Sequence, residues 1–547
     1  MKKIISFVLG AAVAFSAAAQ NWEDALFFSE NNYIGTARSL AMGNALTAIG
    51  GDPGSFTLNP AGSSVASYSQ VFITPGISIS SMTAQGTILP GDDAAVGLGD
   101  KVGTGYVRMK LPNAGFVFNF DTGLRNGWKR LSLGFLVNAT NDYTGRFNAS
   151  GVNASNSFAG SVATSSDGYN RSDMGSSDWY YSGDPARMPS WMDMTAYRAG
   201  ITNTLSGSND TYIGITEVTD GTDIWLADPL KQQYGQQAYG GKWDALLNFS
   251  ANYADILYLG ANVGITNLSY VLNEYWSEAP NNPEEFPLIE YEDGSQAQFN
   301  SLTMKRNYNV RGAGVYFKAG FLWRPVGGLR LGAAVQTPMW LDLTERYSYS
   351  ASVSTTGRVM PTAGSPQDEW GYSLRNPFRV NAGVAYSFGT VAVLSMDYEF
   401  ANMASAYFRT RGNYANFNFA DTNTDIRNNL GGQHQFRVGL EVKPVPSFAI
   451  RGGFNYIGSG LSGKEGLSVG TTSGSFGLGW SSRGAFYADL AVRARFAPDR
   501  YIIPYYYYKP VSSSQPYYKY IDDSVLTPEV CVKTAVVDVA LTLGMRF

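Results

Sequence analysis

Apolar and polar residues alternate along many stretches of this chain. In the closing VVDVALTLGMRF, Val537, Val539, Leu541, Leu543, Met545 and Phe547 share one face, and Asp538, Ala540, Thr542, Gly544 and Arg546 share the other. The stretch FYADLAVRARF sets Phe486, Ala488, Leu490, Val492, Ala494 and Phe496 against Tyr487, Asp489, Arg493 and Arg495, and RLSLGFLVNAT sets Leu131, Leu133, Phe135, Val137 and Ala139 against Arg130, Ser132, Gly134 and Asn138. A period of two held over about ten residues is the signature of a tilted strand with lipid on one side. Fourteen such segments centre near Ile77, Phe118, Leu133, Leu247, Ala261, Phe317, Val335, Val384, Leu394, Val438, Phe454, Leu478, Leu490 and Leu541. Pro325-Val-Gly-Gly and Pro444-Val-Pro-Ser are tight turns between neighbouring segments, whereas other connections are long, about 142–241, 272–303, 346–370 and 497–532. Short turns on one side, long loops on the other and an even strand count predict an all-β transmembrane antiparallel barrel of about 14 strands, which closes without an edge. The alternative is a soluble periplasmic sandwich or propeller.

The pattern changes before the first strand. Residues 20–64 include TARSLAMGNALTAIGGDPGSFTLNPAG, a helix-like run of Ala, Gly and Ser. Small residues bury little area each, so this segment makes a poor core alone. Inside a barrel wider than its own side chains fill, it becomes a hatch whose short helices lie close to the wall. The reading ends the helical part at Gly50-Gly51-Asp52-Pro53 and places Asn59, before Pro60, in extended backbone. Ahead of the hatch, MKKIISFVLGAAVAFSAAAQ has two lysines, an apolar stretch and a small-residue cleavage signal, so residues 1–19 read as a signal peptide. No later stretch approaches the roughly 18 uncharged apolar residues of a spanning helix. Residues 65–547 are the barrel, and the outer membrane of a Gram-negative bacterium is the expected location.

Composition agrees. The 547 residues are 14% aromatic, with 61 Gly and only 15% charged residues. The net charge of −4 includes no basic block, which argues against a nucleic-acid partner. Cys531 and His434 are the sole residues of their types. One cysteine makes no intramolecular disulfide or metal cluster, and His434 has no nucleophile elbow beside it. GSGLSGKE, from Gly458 to Glu465, fits most of a phosphate loop, but Glu465 stands where Ser or Thr would bind magnesium. The stretch near Asp421 lacks the spaced ligands of a calcium loop. The expectation is a passive protein without catalytic residues, metal or cofactor.

Several matches together resemble the FadL/TodX-like outer-membrane transporters of long-chain fatty acids and other hydrophobic compounds: GTARSLAMGNALTAIGGDPGSFTLNPAG with Asn59, Pro60 and Ala61, YADILYLGANVGI from Tyr253, GVYFKAGFLWRPVGGLRLGAAVQTP from Gly314, VLSMDYEF from Val393, and the final LTLGMRF. The resemblance implies passive transport by loop capture, lumen binding and lateral release through a kink in the third strand, here about Arg130 to Asn141. Gly134 is the candidate for that distortion, or it simply makes room for the hatch. The implied partners are a hydrophobic small molecule, outer-membrane lipids and lipopolysaccharide, and the barrel-insertion machinery, for which Phe547 is the assembly signal. A barrel of the same family architecture also serves as the type IX secretion shuttle PorV, so a protein-binding barrel of a secretion or surface-assembly complex is the alternative.

The long loops depart from simpler members. The first carries Trp179, Tyr180, Tyr181, Trp191, Tyr197 and Trp225, which read either as ordinary girdle and loop aromatics or, around MPSWMDM with Trp191 and Met192, as a groove that catches an amphipathic ligand. On the inward face, Arg330, Arg379, Arg437, Arg451, Arg493 and Arg495 accompany Asp244, Asp397, Glu399, Glu441 and Asp489. Mixed buried charges must pair, which predicts a network anchoring the hatch. In the minority reading Arg451 or Arg493 holds a ligand carboxylate.

Overall fold

The computed structural model describes residues 21–87, 96–175, 188–291, 293–411, 418–463, 469–482, 485–512 and 515–547. Residues 1–19, read from the sequence as a signal peptide, and Trp179, Tyr180, Tyr181, Lys464 and Glu465 lie outside them. The alternating segments pair in chain order into one closed antiparallel barrel of fourteen strands. These are β1 (Gln70–Gly86), β2 (Val102–Asp121), β3 (Trp128–Asp142, carried on by Gly145–Asn153), β4 (Leu230–Tyr253), β5 (Leu257–Pro280), β6 (Gln296–Trp323) and β7 (Leu329–Gln336 with Met339–Thr356). They continue with β8 (Asp368–Asn376 with Arg379–Phe388), β9 (Ala392–Asn402, then Tyr407–Thr410), β10 (Gly432–Val445), β11 (Phe448–Gly458), β12 (Gly470–Ser481), β13 (Phe486–Phe496) and β14 (Val530–Arg546). Pro338 and Pro377 interrupt β7 and β8, because proline has no ladder donor. β14 closes on β1 through pairs such as Ile77 with Val539. Ser69 and Phe547 exchange two backbone hydrogen bonds of 3.0 Å at the rim of the short turns.

Side-chain exposure follows the period. Leu541 and Leu543 are 37% and 46% exposed, while Ala540 and Thr542, which alternate with them, are each 1% exposed. The outward face is therefore the apolar one, as a lipid solvent requires. The strands outrun the apolar alternation. β4 begins at Leu230 and β5 reaches Pro280, and β6, β7 and β8 likewise extend into the 272–303 and 346–370 stretches expected to be loops. Above the lipid the outward positions turn polar, so the alternation fades although the backbone ladder continues. The first long connection spans 154–229 and carries helices α4 (Phe158–Ser166), α5 (Arg171–Gly175) and α6 (Trp191–Ala199).

The hatch lies inside. Its α1 (Trp22–Ser29) starts at an Asn21–Asp24 capping box, which satisfies two otherwise unpaired backbone donors. The expected helix through Ile49 is shorter: α2 spans Ala37–Ala41 and stops at Gly43 and Asn44, both left-handed with φ near 60°. A side chain at Gly43 would meet the Phe454 carbonyl at 2.6 Å, so the backbone here rests directly on β11. Asp52-Pro53 does not end a helix but leads into α3 (Ser55–Leu58), with the Asp52 carboxylate accepting from Thr36 Oγ1 at 2.7 Å and Gly54 N at 2.8 Å. Asn59 is extended (φ −137°), as its proline neighbour dictates.

Candidate functional site

Three features define the lumen: a charged seam that holds the hatch, a packed aromatic cluster above it, and a break in the wall beside it.

The seam begins at the Asn59-Pro60-Ala61 motif. Asn59 Nδ2 donates to Thr47 O and Phe321 O, each at 2.8 Å, and its Oδ1 accepts from Ala61 N at 3.1 Å. Pro60 O accepts from Asn248 Nδ2 at 2.9 Å. The wall offers glycine at the closest points: a Cβ on Gly320 would stand 2.3 Å from Asn59 Oδ1, and one on Gly260 would stand 2.4 Å from the Pro60 carbonyl carbon. This motif latches the hatch to β5 and β6. On the opposite wall Arg38 reaches Glu441 at 2.8 Å, and Glu441 also takes Arg451 at 2.7 Å. Arg451 bridges on to Asp489 at 2.6 Å. Glu399 pairs with Arg379 at 2.8 Å and with Arg437. Asp397 accepts from Thr47 N, and Arg330 donates to Ile49 O. Arg493 pairs with Asp538 at 2.8 Å and donates to Asn32 Oδ1 and Tyr33 O. The ligand candidates Arg451 and Arg493 are thus both taken up in hatch-bearing networks.

Sequence reasoning missed Lys242 and Lys318, and it placed Asp538 on the inward face without counting it among the paired charges. Lys242 Nζ donates to Phe28 O at 2.9 Å and to Glu30 O, and Lys318 Nζ donates to Thr57 O at 2.6 Å. Both lysines are 2% exposed, and their inward phase along β4 and β6 was the readable signal. Removing the acid at the centre of the seam should be costly. Glu441→Ala leaves Arg38 without its carboxylate and Arg451 with only one, an expected loss of about 3 kcal/mol. Denaturant unfolding of the barrel in detergent measures that loss, and an unchanged midpoint would remove Glu441 from the anchor.

The cluster above the seam is aromatic. Phe27 of α1 packs on Tyr143 (ring centroids 4.6 Å apart) and on Tyr270 (5.1 Å), and Phe28 meets the same two rings. One continuous apolar cluster joins α1 and strand residues such as Tyr308 and Tyr372 to Trp191 and Met194 of α6. Trp191 is 6% exposed and donates to Asp368 Oδ2 at 3.0 Å, and Met192 packs on a second apolar cluster of strand and loop residues. The MPSWMDM segment is therefore the underside of a loop cap, not an open outer groove.

The cap contains buried acids. Burial pushes Glu217 up to about 7 and Asp167 up to about 6, with Lys519, beside Asp167 and Asp193, pushed down to about 8. An acid whose folded pKa is raised costs stability as pH rises from its ordinary value to the raised one. Cap protection against hydrogen exchange at 154–175 should fall by about tenfold between pH 5 and pH 7. A flat profile would contradict the burial of Glu217.

The wall breaks between β2 and β3. Their ladder runs from Asp121–Arg130 to Asn113–Asn138 and stops there, although β2 continues back to Val102 on β1 alone. Pro112 lies at the end of the ladder, where it offers no donor. β3 bulges between Ala139 and Asn141 against β4, and its continuation 145–153 packs inward, with Phe147 and Ala149 buried. The break lies at lipid depth: Val107 and Met109 pair with the outward Ile79 and Ile77 of β1 and are 63% and 81% exposed. Side chains span it, Arg108 reaching Asp142 at 3.4 Å and Thr144, and Lys110 reaching Asp142 at 3.8 Å, and at its outer end Asp100 N donates to Ser150 O at 2.9 Å. At its inner end the hatch takes the place of β2 on β3, with Asn32 N donating to Thr140 O at 2.7 Å and Ile34 N to Ala139 O at 3.4 Å. Gly134 is not at this break. It pairs regularly with Val117 and Asn248 and faces Phe56 of the hatch, so it fits the reading in which it makes room.

No protein-family model matches the chain, and no curated protein sequence does. Among solved structures it is similar to a Pseudomonas aeruginosa FadL homologue, at 12% identity and a TM-score of 0.48 over 94% of this chain and 99% of that one. It is also similar to the Ralstonia pickettii toluene transporter TbuX, at 15% identity and 0.45 over 95% and 100%. The Pseudomonas putida toluene transporter TodX gives 12% and 0.47 over 94% and 99%.

Proposed function

We propose that this barrel carries hydrophobic compounds passively across the outer membrane, taking them past the aromatic cluster of the lumen and exchanging them with the lipid through the opening between β2 and β3. The observation that carries the reading is the end of the β2–β3 ladder at Asn113–Asn138, at the depth of the lipid-facing Val107 and Met109. A barrel in lipid gains by pairing every strand, because unpaired backbone polar groups in hydrocarbon are costly. A wall left open at that depth, with the hatch at its inner end, is an arrangement for passage. The physical benefit is that a hydrophobic solute crosses a polar saccharide layer poorly, and a route sideways avoids that layer.

The Phe, Tyr, Trp and Met side chains of that cluster suit apolar and aromatic solutes, and a long-chain fatty acid is the finer candidate, its carboxylate facing Arg108 or Lys110 at the opening. The protein acts as a conduit, not a catalyst. Flux assays test the substrate class: the folded protein in liposomes should speed entry of toluene and of a long-chain fatty acid by about tenfold or more over protein-free liposomes, while leaving a small sugar excluded. Equal rates with and without protein would contradict transport.

A further inference from the structure

The outer face of β6–β9 carries a band of charge at the upper edge of its apolar belt. The ladders set the outward residues in rows. Val315, Trp340, Arg375 and Tyr407 form one row, Ala313, Asp342, Ser373 and Arg409 the next above it, then Arg311 with Thr344 and Gly371, then Arg346 with Glu369. Trp340 and Tyr407, 41% and 43% exposed, are the aromatic residues that end the apolar band on this side. Beside and above them stand five arginines, Arg375 in the same row and Arg311, Arg346, Arg409 and Arg411 higher, against two acids, Asp342 and Glu369. The chain as a whole is net negative, so this sector is a local excess and not a general property of the surface.

The acids do not use up the cations. Arg346 takes Glu369 at 2.6 Å, and Arg411 reaches Asp342 only at 3.9 Å. Arg409 lies over the Trp340 ring at 4.7 Å, a contact that fixes the guanidinium at the lipid boundary without neutralising it. Arg311 and Arg375 have no side-chain hydrogen bond or ion pair among the described residues.

We infer that this sector is a docking site for a phosphorylated glycolipid of the outer leaflet, its acyl chains against Val315, Trp340 and Tyr407 and its phosphate held by Arg311, Arg375 and Arg409. Guanidinium groups bind phosphate oxygens in pairs, and at the headgroup level each basic side chain adds to the attraction of an anionic lipid. The inference rests on the outer-membrane placement and not on the transport reading. The site is on a different part of the wall from the β2–β3 opening, so it anchors the lipid shell and leaves the exit free.

Native mass spectrometry of the folded, full-length protein with lipid A, the diphosphorylated and acylated glucosamine disaccharide, tests it. Unmodified protein should retain lipid A, and the variant carrying Arg311→Gln, Arg375→Gln and Arg409→Gln should bind it about a hundred-fold more weakly. Lys533→Gln, an outward cation on β14, should leave binding unchanged. Dephosphorylated lipid A should bind the unmodified protein as weakly as lipid A binds the triple variant. In the unmodified protein binding should also weaken as salt is raised. Any of four results would overturn the assignment: equal binding by the triple variant, equal binding of the dephosphorylated lipid, insensitivity to salt, or displacement of the lipid by millimolar inorganic phosphate. An acidic protein that co-purifies with the unmodified barrel and is lost in the triple variant, with lipid A binding unaltered, overturns it as well.

Discussion

Removing residues 21–64, with the rest of the chain kept, should convert a closed barrel into an open pore and raise its single-channel conductance by about tenfold or more. The hatch fills the section of the lumen where Arg38 meets Glu441, Lys242 and Lys318 hold hatch carbonyls, and Asn59 bonds to the β6 backbone. Those partners belong to wall strands that pair with each other independently of the hatch, so the barrel should still close. Without the hatch, its polar groups line a wide passage that water fills. The loop cap should loosen too, because Trp191 and Met194 share an apolar cluster with Phe28 of α1. Recording in planar bilayers measures the change, and conductance equal to that of the intact protein would mean the hatch does not seal the lumen.

All fourteen strands were legible in the sequence because lipid demands a period of two, and every segment centre, from Ile77 to Leu541, falls within a strand. The hatch was legible as a small-residue segment, and the inward charges as a paired network, because a buried unpaired charge is so costly. What the sequence hid depends on contacts between distant segments. The upper ends of β4–β8 lost their alternation once above the lipid. The helix through Ile49 was cut at Gly43 by the approach of β11, which nothing in ALTAIGG announces. The wall break was sought at Gly134, the glycine inside the strand, yet it begins at Pro112 of β2 and the bulge near Thr140. A missing donor in the neighbouring strand matters more here than a missing side chain in β3. The NPA motif could be recognised as a hatch mark, but its role as a latch needed Gly260 and Gly320 beneath it.

Tethering β2 to β3 across the opening tests the central claim most directly. Arg108→Cys and Thr144→Cys, in a chain whose sole native thiol is removed by Cys531→Ser, place reactive groups on the two sides of the break. A short, reducible thiol–thiol cross-linker then closes it without touching the ladder below Asn113–Asn138. The account predicts that cross-linked protein, folded and heat-modifiable like the unlinked variant, loses nearly all of its toluene flux into liposomes and regains it when the linker is reduced. Cross-linked protein that carries toluene at the unlinked rate would contradict lateral passage between β2 and β3.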